Sequence, residues 1–201
     1  MNDPIQEAAR RLRLGEIVAI PTDTVYGLAA DPRNSEAIRK LYEAKRRDLS
    51  KPIPLLLSDV SAIEKVCGSP PRSARRLAER FFPGPLTLVM RLATPFPPIL
   101  NAGGETVGVR VPDHETARGL IRRMGGALAV TSANLSGKAP ALKVEELDPA
   151  FDNLFILDGG STGGFQASTV VDVSRDPPLV LREGALPVRA VMDEIRSVGQ
   201  F

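Results

Sequence analysis

Lys45, Arg47 and Lys51 fall within one stretch of seven residues, with Arg46 between the first two. Cations this close repel one another unless water or an anion separates them. The apolar stripe Ile38, Leu41, Tyr42 reaches Lys45 at its next step, so the amine either snorkels outward or points into a polar cleft. A basic helix end favoured by the macrodipole accounts for Lys45 and Arg46 equally well. In the segment 106–111 (TVGVRV), period two sends Val107, Val109 and Val111 to one face and Thr106, Gly108 and Arg110 to the other. A polar strand face with a central glycine is either the floor of a binding site, with room left by the missing side chain, or one solvated side. Arg182 follows Leu179, Val180 and Leu181 and precedes Glu183, so its plain alternative is a surface ion pair. Thr131, Ser132, Ala133 and Asn134 follow an apolar run, and residues 21–27 (PTDTVYG) leave the run 16–20 in the same way. Open α/β sheets bind ligands where loops leave strand ends, although Ser and Asn are also routine turn formers. Taken together, these elements describe a cavity for a phosphate or a carboxylate.

Other chemistries are poorly provided for. The sequence has no GxxxxGKS/T loop and no GxGxxG following a strand. The glycine-rich run 159–164 (GGSTGG) has the freedom to approach phosphates but reads more simply as a mobile loop. His114, the single histidine, stands beside Asp113, the expected helix cap, where a surface role fits better than base catalysis. Cys67, the single cysteine, has no neighbouring histidine to activate it, and it can form neither an internal disulfide nor a cysteine-based zinc site. A protein nucleophile and a resident metal are therefore not expected. Twenty-six Lys+Arg against 24 Asp+Glu leave a formal charge of +2, too balanced for bulk adhesion to nucleic acid or membrane. No apolar run reaches membrane length and no signal-peptide pattern opens the chain, so a cytoplasmic protein is expected.

The 201 residues, 43% of them hydrophobic, suffice for a core that needs no staples. Ile5, Ala8, Ala9 and Leu12 recur at helical spacing, with Asp3 as cap, Pro4 in the first turn and Gly15 as stop. Further helices are expected at 34–45, 60–66, 72–82, 113–124 and 188–198, the last only loosely docked. In the helix 72–82, Ala74, Leu77, Ala78 and Phe81 turn inward, while Arg72, Arg75, Arg76 and Arg80 lie mostly outside. Seven or eight strands are expected, at 16–21, 52–57, 86–92, 106–111, 128–131, 154–157, 169–173 and 179–182. Helices mixed irregularly with strands predict an α/β fold, a single domain over 1–201 with an open, twisted, mixed sheet and flanking helices. Its motif-bearing core spans about 15–184 and a helical tail follows at 185–201.

Six runs then occur in one order: IPTDTVYGLAAD, Lys45-x-Arg47-x-x-x-Lys51-Pro52, FPGPLTLV, TVGVRVP, TSANLSGK and STVVD…LREG. Together they resemble the YrdC-like threonylcarbamoyl-AMP synthase family, in its short form without an extra C-terminal domain. The resemblance implies an open α/β fold around a concave, basic cavity. It also implies a nucleotidyltransferase that makes threonylcarbamoyl-AMP and pyrophosphate from L-threonine, bicarbonate and ATP, with Mg²⁺ carried mainly on the triphosphate. A threonylcarbamoyl-transferase complex would then modify adenosine 37 of tRNAs that read ANN codons. By position, Thr24, Arg110 and Ser168 match residues that hold threonine, and Lys45 and Arg47 match the catalytic cations. Lys51, Thr106, Ser132, Asn134 and Arg182 match residues around the nucleotide and its phosphates. The chain departs from the pattern at Leu56, where some members carry a threonine-contacting histidine, and at Pro140, where a small polar residue is common. Two alternatives stand beside this: an RNA-binding module using the cavity and the arginines of 72–80, and a carbamoyl-adenylate-forming unit like that of hydrogenase maturation proteins. The single cysteine counts against the second.

Overall fold

The computed structural model describes residues 3–164 and 166–198, so residues 1, 2, 165 and 199–201 of the expected domain lie outside the described residues. Helix α1 (Pro4–Arg13) opens where the Asp3 side chain accepts the Ile5 N–H at 2.9 Å, and the chain leaves it through Gly15, at φ 74°. Helix α2 (Ser35–Lys45) is capped by the Asn34 side chain, which accepts from the N–H groups of Glu36 and Ala37. It stops at Arg46, whose left-handed backbone (φ 49°) turns the chain sharply. Glycine usually fills this position because a Cβ is strained there.

Among the described residues nine strands form one sheet: β1 (Val18–Ile20), β2 (Gly27–Ala30), β3 (Leu55–Leu57), β4 (Leu86–Arg91), β5 (Thr106–Arg110), β6 (Ala127–Ser132), β7 (Phe155–Ile156), β8 (Thr169–Asp172) and β9 (Leu179–Arg182). Their order is β7-β1-β2-β6-β3-β5-β4-β8-β9. The β1–β7, β3–β5 and β4–β8 pairs are parallel and the others antiparallel, so the sheet is mixed as expected. The strand count exceeds the expected seven or eight because β2 carries only Gly27, Leu28, Ala29 and Ala30. Small residues give no alternation to read, and β2 is a strand through its pairing with β1 and β6.

The remaining helices are α3 (Ala62–Cys67), α4 (Arg72–Phe81), α5 (Glu115–Arg123) and α6 (Val188–Val198). One sheet face is covered by α2, α3, α4 and α6, through residues such as Ile38, Leu41, Ile63, Leu77 and Val191 on Leu55, Leu88, Val107 and Val171. On the other face, Ala8 and Leu12 of α1 and Leu120 and Ile121 of α5 cover Val18, Ile20, Ala29, Leu128 and Val130. That second cluster takes nothing from β4, β5, β8 or β9 among the described residues. Half of this face therefore stays open as a concave surface, and the polar side of β5 looks into it.

Two expectations are corrected here. Helix α5 is capped by His114, not Asp113: the His114 side chain accepts the Ala117 N–H at 3.5 Å. The C-terminal helix is firmly docked, with Val191 fully buried and Arg76 paired to Glu194 at 2.8 Å. Arg75 donates to Ser69 Oγ at 2.8 Å and to the Pro70 carbonyl at 3.1 Å, and Arg80 lies over the Phe81 ring.

Candidate active site

Alternation along β5 buries Val107 and Val109 in the core and turns Arg110 into the concave face. Arg110 is 6% exposed. Its Nε donates to the Gly84 carbonyl at 3.0 Å, Nη1 to Thr24 Oγ1 at 2.9 Å, and Nη2 to Asp23 Oδ1 at 2.6 Å. Burial pulls its pKa down and the Asp23 carboxylate opposes that pull, so the group keeps its charge. Three of the five guanidinium N–H groups are engaged, which leaves two to meet a ligand.

Thr24 is set by a turn that Thr22 makes. The Thr22 hydroxyl accepts the N–H groups of Thr24 (3.1 Å) and Val25 (3.2 Å) and donates to the Val25 carbonyl at 2.7 Å. This is the threonine version of a side-chain turn, and it makes the loop after β1 a fixed wall. Opposite it, Thr87 Oγ1 and Ser168 Oγ lie 2.8 Å apart. Arg182 donates to the Ser168 carbonyl from Nε (3.2 Å) and Nη2 (2.8 Å), so the arginine clasps the start of β8 instead of a surface carboxylate.

The turn at Arg46 sends Arg47 toward the same space, where it donates to the carbonyls of Lys51 (3.2 Å) and Pro52 (3.0 Å). Lys45 does not snorkel outward; its amine points into polar surroundings just behind the cavity. It is 1% exposed, and Nζ donates to the carbonyl of Ser132, to that of Asn134 at 2.6 Å and to Asn134 Oδ1 at 3.1 Å. Burial, with a smaller push from Arg47, lowers its pKa to about 8. Three acceptors occupy three ammonium protons, so Lys45 holds the turn after β6 from behind.

Arg47, Arg110 and Arg182, with the hydroxyls of Thr22, Thr24, Thr87, Ser132 and Ser168, line one cavity of about 180 Å³. Leu56 and Pro54 give it an apolar wall, Leu56 standing where the resemblance leads one to look for histidine. Lys45, Lys51, Thr106, Asn134 and Pro140 are not in its lining. Lys51 is exposed, and Thr106 sits at the far end of β5, roughly 13 Å from Arg110 at ordinary strand rise. Asn134 lies behind Ser132, whose hydroxyl donates to Asn134 Oδ1 at 2.5 Å. Gly108 leaves no open floor: a Cβ there would meet Thr87 Cγ2 at 3.1 Å and Pro54 Cβ at 3.3 Å, so the space is already filled.

The run 159–164 is tied down, contrary to the mobile loop expected. Tyr26 Oη donates to the Gly160 carbonyl at 2.7 Å and accepts the Gly159 N–H at 3.2 Å, while Thr162 bonds the Leu142 carbonyl. Gly164 lies directly against Thr24: a Cβ would come within 2.8 Å of Thr24 Cα. Sequence reasoning missed Asp23, Tyr26 and Thr87. Thr87 had a signal, because period two separates it from Leu86 and Leu88, but only the β4–β5 pairing puts it beside Arg110's face.

A family model described as Sua5/YciO/YrdC, telomere recombination, matches residues 10–184. The chain belongs to this family. Within the Sua5/YciO/YrdC family it is 43% identical over 189 residues to the threonylcarbamoyl-AMP synthase of Bacillus subtilis, an alignment covering 92% of this chain and 55% of that protein. It is 40% identical over 179 residues to the Mus musculus protein of the same name, covering 86% and 63%. The crystal structure of Pyrococcus abyssi Sua5 complexed with L-threonine superposes with a TM-score of 0.91 at 36% identity, covering 97% of this chain and 58% of that one. The chain therefore spans a little more than half the length of these Sua5/YciO/YrdC relatives.

Proposed function

We propose that this chain forms threonylcarbamoyl-AMP and pyrophosphate from L-threonine, bicarbonate and ATP. One observation carries the reading: Arg47, Arg110 and Arg182 surround a single small cavity whose other polar groups are neutral hydroxyls. The names of the Bacillus subtilis and mouse relatives, and the L-threonine bound by the Pyrococcus abyssi protein, support the choice of substrates.

In this reading Thr24, Arg110 and Ser168 hold threonine, with the two spare N–H groups of Arg110 taking its carboxylate. Threonine's amine bonds to the carbon of bicarbonate, a C–O bond of bicarbonate breaks and water leaves, giving the carbamate. A carbamate oxygen then bonds to the α-phosphorus while the bond from that phosphorus to the pyrophosphate oxygen breaks. Both reactants are anions, so encounter in water is opposed by charge. Arg47 and Arg182 offset that repulsion and stabilise the charge that accumulates on pyrophosphate. Confinement beside the nucleotide supplies orientation for a short-lived carbamate. Ser132 borders the nucleotide with Asn134 supporting it from behind, Lys45 fixes their turn, and Lys51 reaches the triphosphate from the rim. Thr106 is left without a role.

No protein nucleophile is required. Cys67 lies outside the cavity, its thiol pushed up to about 12 by burial. Among the described residues no group of three or more His, Cys, Asp or Glu is arranged to hold a metal ion, so Mg²⁺ would ride on the triphosphate. Transfer to tRNA by a partner complex follows as the use of the product. Among the described residues no helix is long and apolar enough to cross a membrane, and a cytoplasmic location goes with the reading.

The test is pyrophosphate release by the purified chain given ATP, bicarbonate and Mg²⁺. Release is expected only when L-threonine is added, with threonylcarbamoyl-AMP as the nucleotide product by mass spectrometry. Release indifferent to threonine refutes the reading.

A further inference from the structure

A second cavity, about 540 Å³, lies at the far end of the strands that build the first. Thr87 and Ser168 stand at the start of β4 and β8, whereas Met90, Arg91 and Val173 stand at or just past their ends, roughly 10 Å further along at ordinary strand rise. Cys67, Met90 and Val173 form its floor, at 8%, 1% and 2% exposure. These three belong to the core on the face away from Arg110. The rim carries Arg72, Arg91 and Arg175, with hydroxyls from Ser69 and Ser73, while the Ser174 hydroxyl donates to Asp172 Oδ1 at 2.6 Å.

We propose that this cavity binds a small phosphate monoester with an apolar or flat body, of the nucleoside monophosphate type, independently of the site described above. Charge is the first argument. Three guanidiniums face one lining carboxylate, Asp176. Arg91 is shared with Glu105 at 3.2 Å, an exposed pair that water screens. Arg72 and Arg175 have no hydrogen-bond or ion-pair partner among the described residues. Two free guanidiniums match a dianionic phosphate, whose oxygens accept from planar forks and hydroxyls together. The start of α4 adds to this, since Pro71 caps it without a side-chain bond and Arg72 and Ser73 are its first residues. Shape is the second argument. The volume falls in the range of small-molecule pockets and far exceeds what a bare phosphate fills. Only a ligand with a body covers the Met90–Val173 floor and removes it from water.

The experiment is backbone-amide NMR of the full chain titrated with AMP and, separately, with inorganic phosphate. AMP should move the amide resonances of Ser73, Ser174 and Arg175 saturably, and inorganic phosphate should bind there about 10-fold more weakly because it covers no floor. Nucleotide entering the first cavity moves Ser132 and Ser168 instead and is told apart by that. The double variant Arg72→Ala/Arg175→Ala should weaken AMP at the three amides by about 10-fold or more and leave threonine-dependent pyrophosphate release unchanged. No saturable shift at these amides, equal affinity for AMP and inorganic phosphate, or unaltered AMP affinity in the double variant each overturns the proposal.

Discussion

Arg110 meets a ligand already aimed. Gly84, Thr24 and Asp23 fix three edges of its guanidinium, so little side-chain freedom is left to lose on binding. Arg110→Lys keeps the charge but not the planar fork, and it cannot serve a substrate carboxylate, Thr24 and Asp23 together. The expected result is a rise in the KM for threonine of about 10-fold or more with the KM for ATP little changed. Equal effects on both substrates would remove Arg110 from the threonine half of the cavity. Lys45 makes a different kind of prediction. Its folded pKa is about 8 against an ordinary 10.5, so between those values the unfolded chain holds the extra proton. Stability contributed by Lys45 therefore rises as pH rises from about 8 to 10.5. Activity should move the other way, because a neutral amine has one donor fewer for Ser132 and Asn134. Turnover falling above about pH 8, while the stability advantage of wild type over Lys45→Met grows, is the expected pair of curves. Parallel loss of both would mean that general unfolding, not the turn after β6, sets the alkaline limit.

At the scale of elements, the glycine-rich run shows how close packing converts a loop into a wall. A Cβ on Gly164 would lie 2.8 Å from Thr24 Cα, 3.0 Å from Thr24 O and 3.1 Å from Asp23 O, all backbone atoms that cannot step aside. A Cβ on Gly163 would meet only Asp23 O, at an ordinary 3.8 Å. Gly164→Ala should therefore destabilise by about 1–3 kcal/mol and lower kcat/KM for threonine, while Gly163→Ala behaves as wild type in melting and kinetics. Equal behaviour of the two variants would show that the loop does not bear on Thr24. None of this contact was legible in the sequence, where six residues rich in glycine carry no period. Helices α2 and α4 and strands β4 and β5 were legible, because their apolar residues recur at 3.6 or at two. Strand β2 was not, since Gly27, Leu28, Ala29 and Ala30 offer no pattern without their partners. The site divides along the same line. Arg110 announced itself by falling on the polar face of a strand whose other face is all valine, and Arg47 and Arg182 by their motifs. The Asp23–Arg110 pair and the three acceptors of Lys45 join residues far apart in the chain, and only the strand order brings them together.

For the molecule as a whole, the two sheet faces divide the labour. One is sealed by α2, α3, α4 and α6 and holds most of the buried apolar residues described; the other is half covered by α1 and α5 and keeps its remainder for the cavity. Stability and site should accordingly be separable by mutation on the sealed face, and α6 is the place to try it. Val191 is fully buried where α6 meets α4, and a carboxylate there would have no partner arranged for it. Val191→Asp should cost about 3 kcal/mol, which for a domain of this size lowers Tm by about 6–12 °C. Arg76→Ala, which removes the half-exposed pair with Glu194, should cost less than about 1 kcal/mol and serves to separate helix docking from the contacts of one side chain. Assayed well below its melting point, Val191→Asp should keep the wild-type KM for both threonine and ATP, because α6 packs on the face turned away from Arg110. A Tm that does not move would mean that α6 contributes nothing to the core. A KM that moves with it would mean that the sealed face shapes the open one, and the cavity could then no longer be treated as built by the open face and its loops alone.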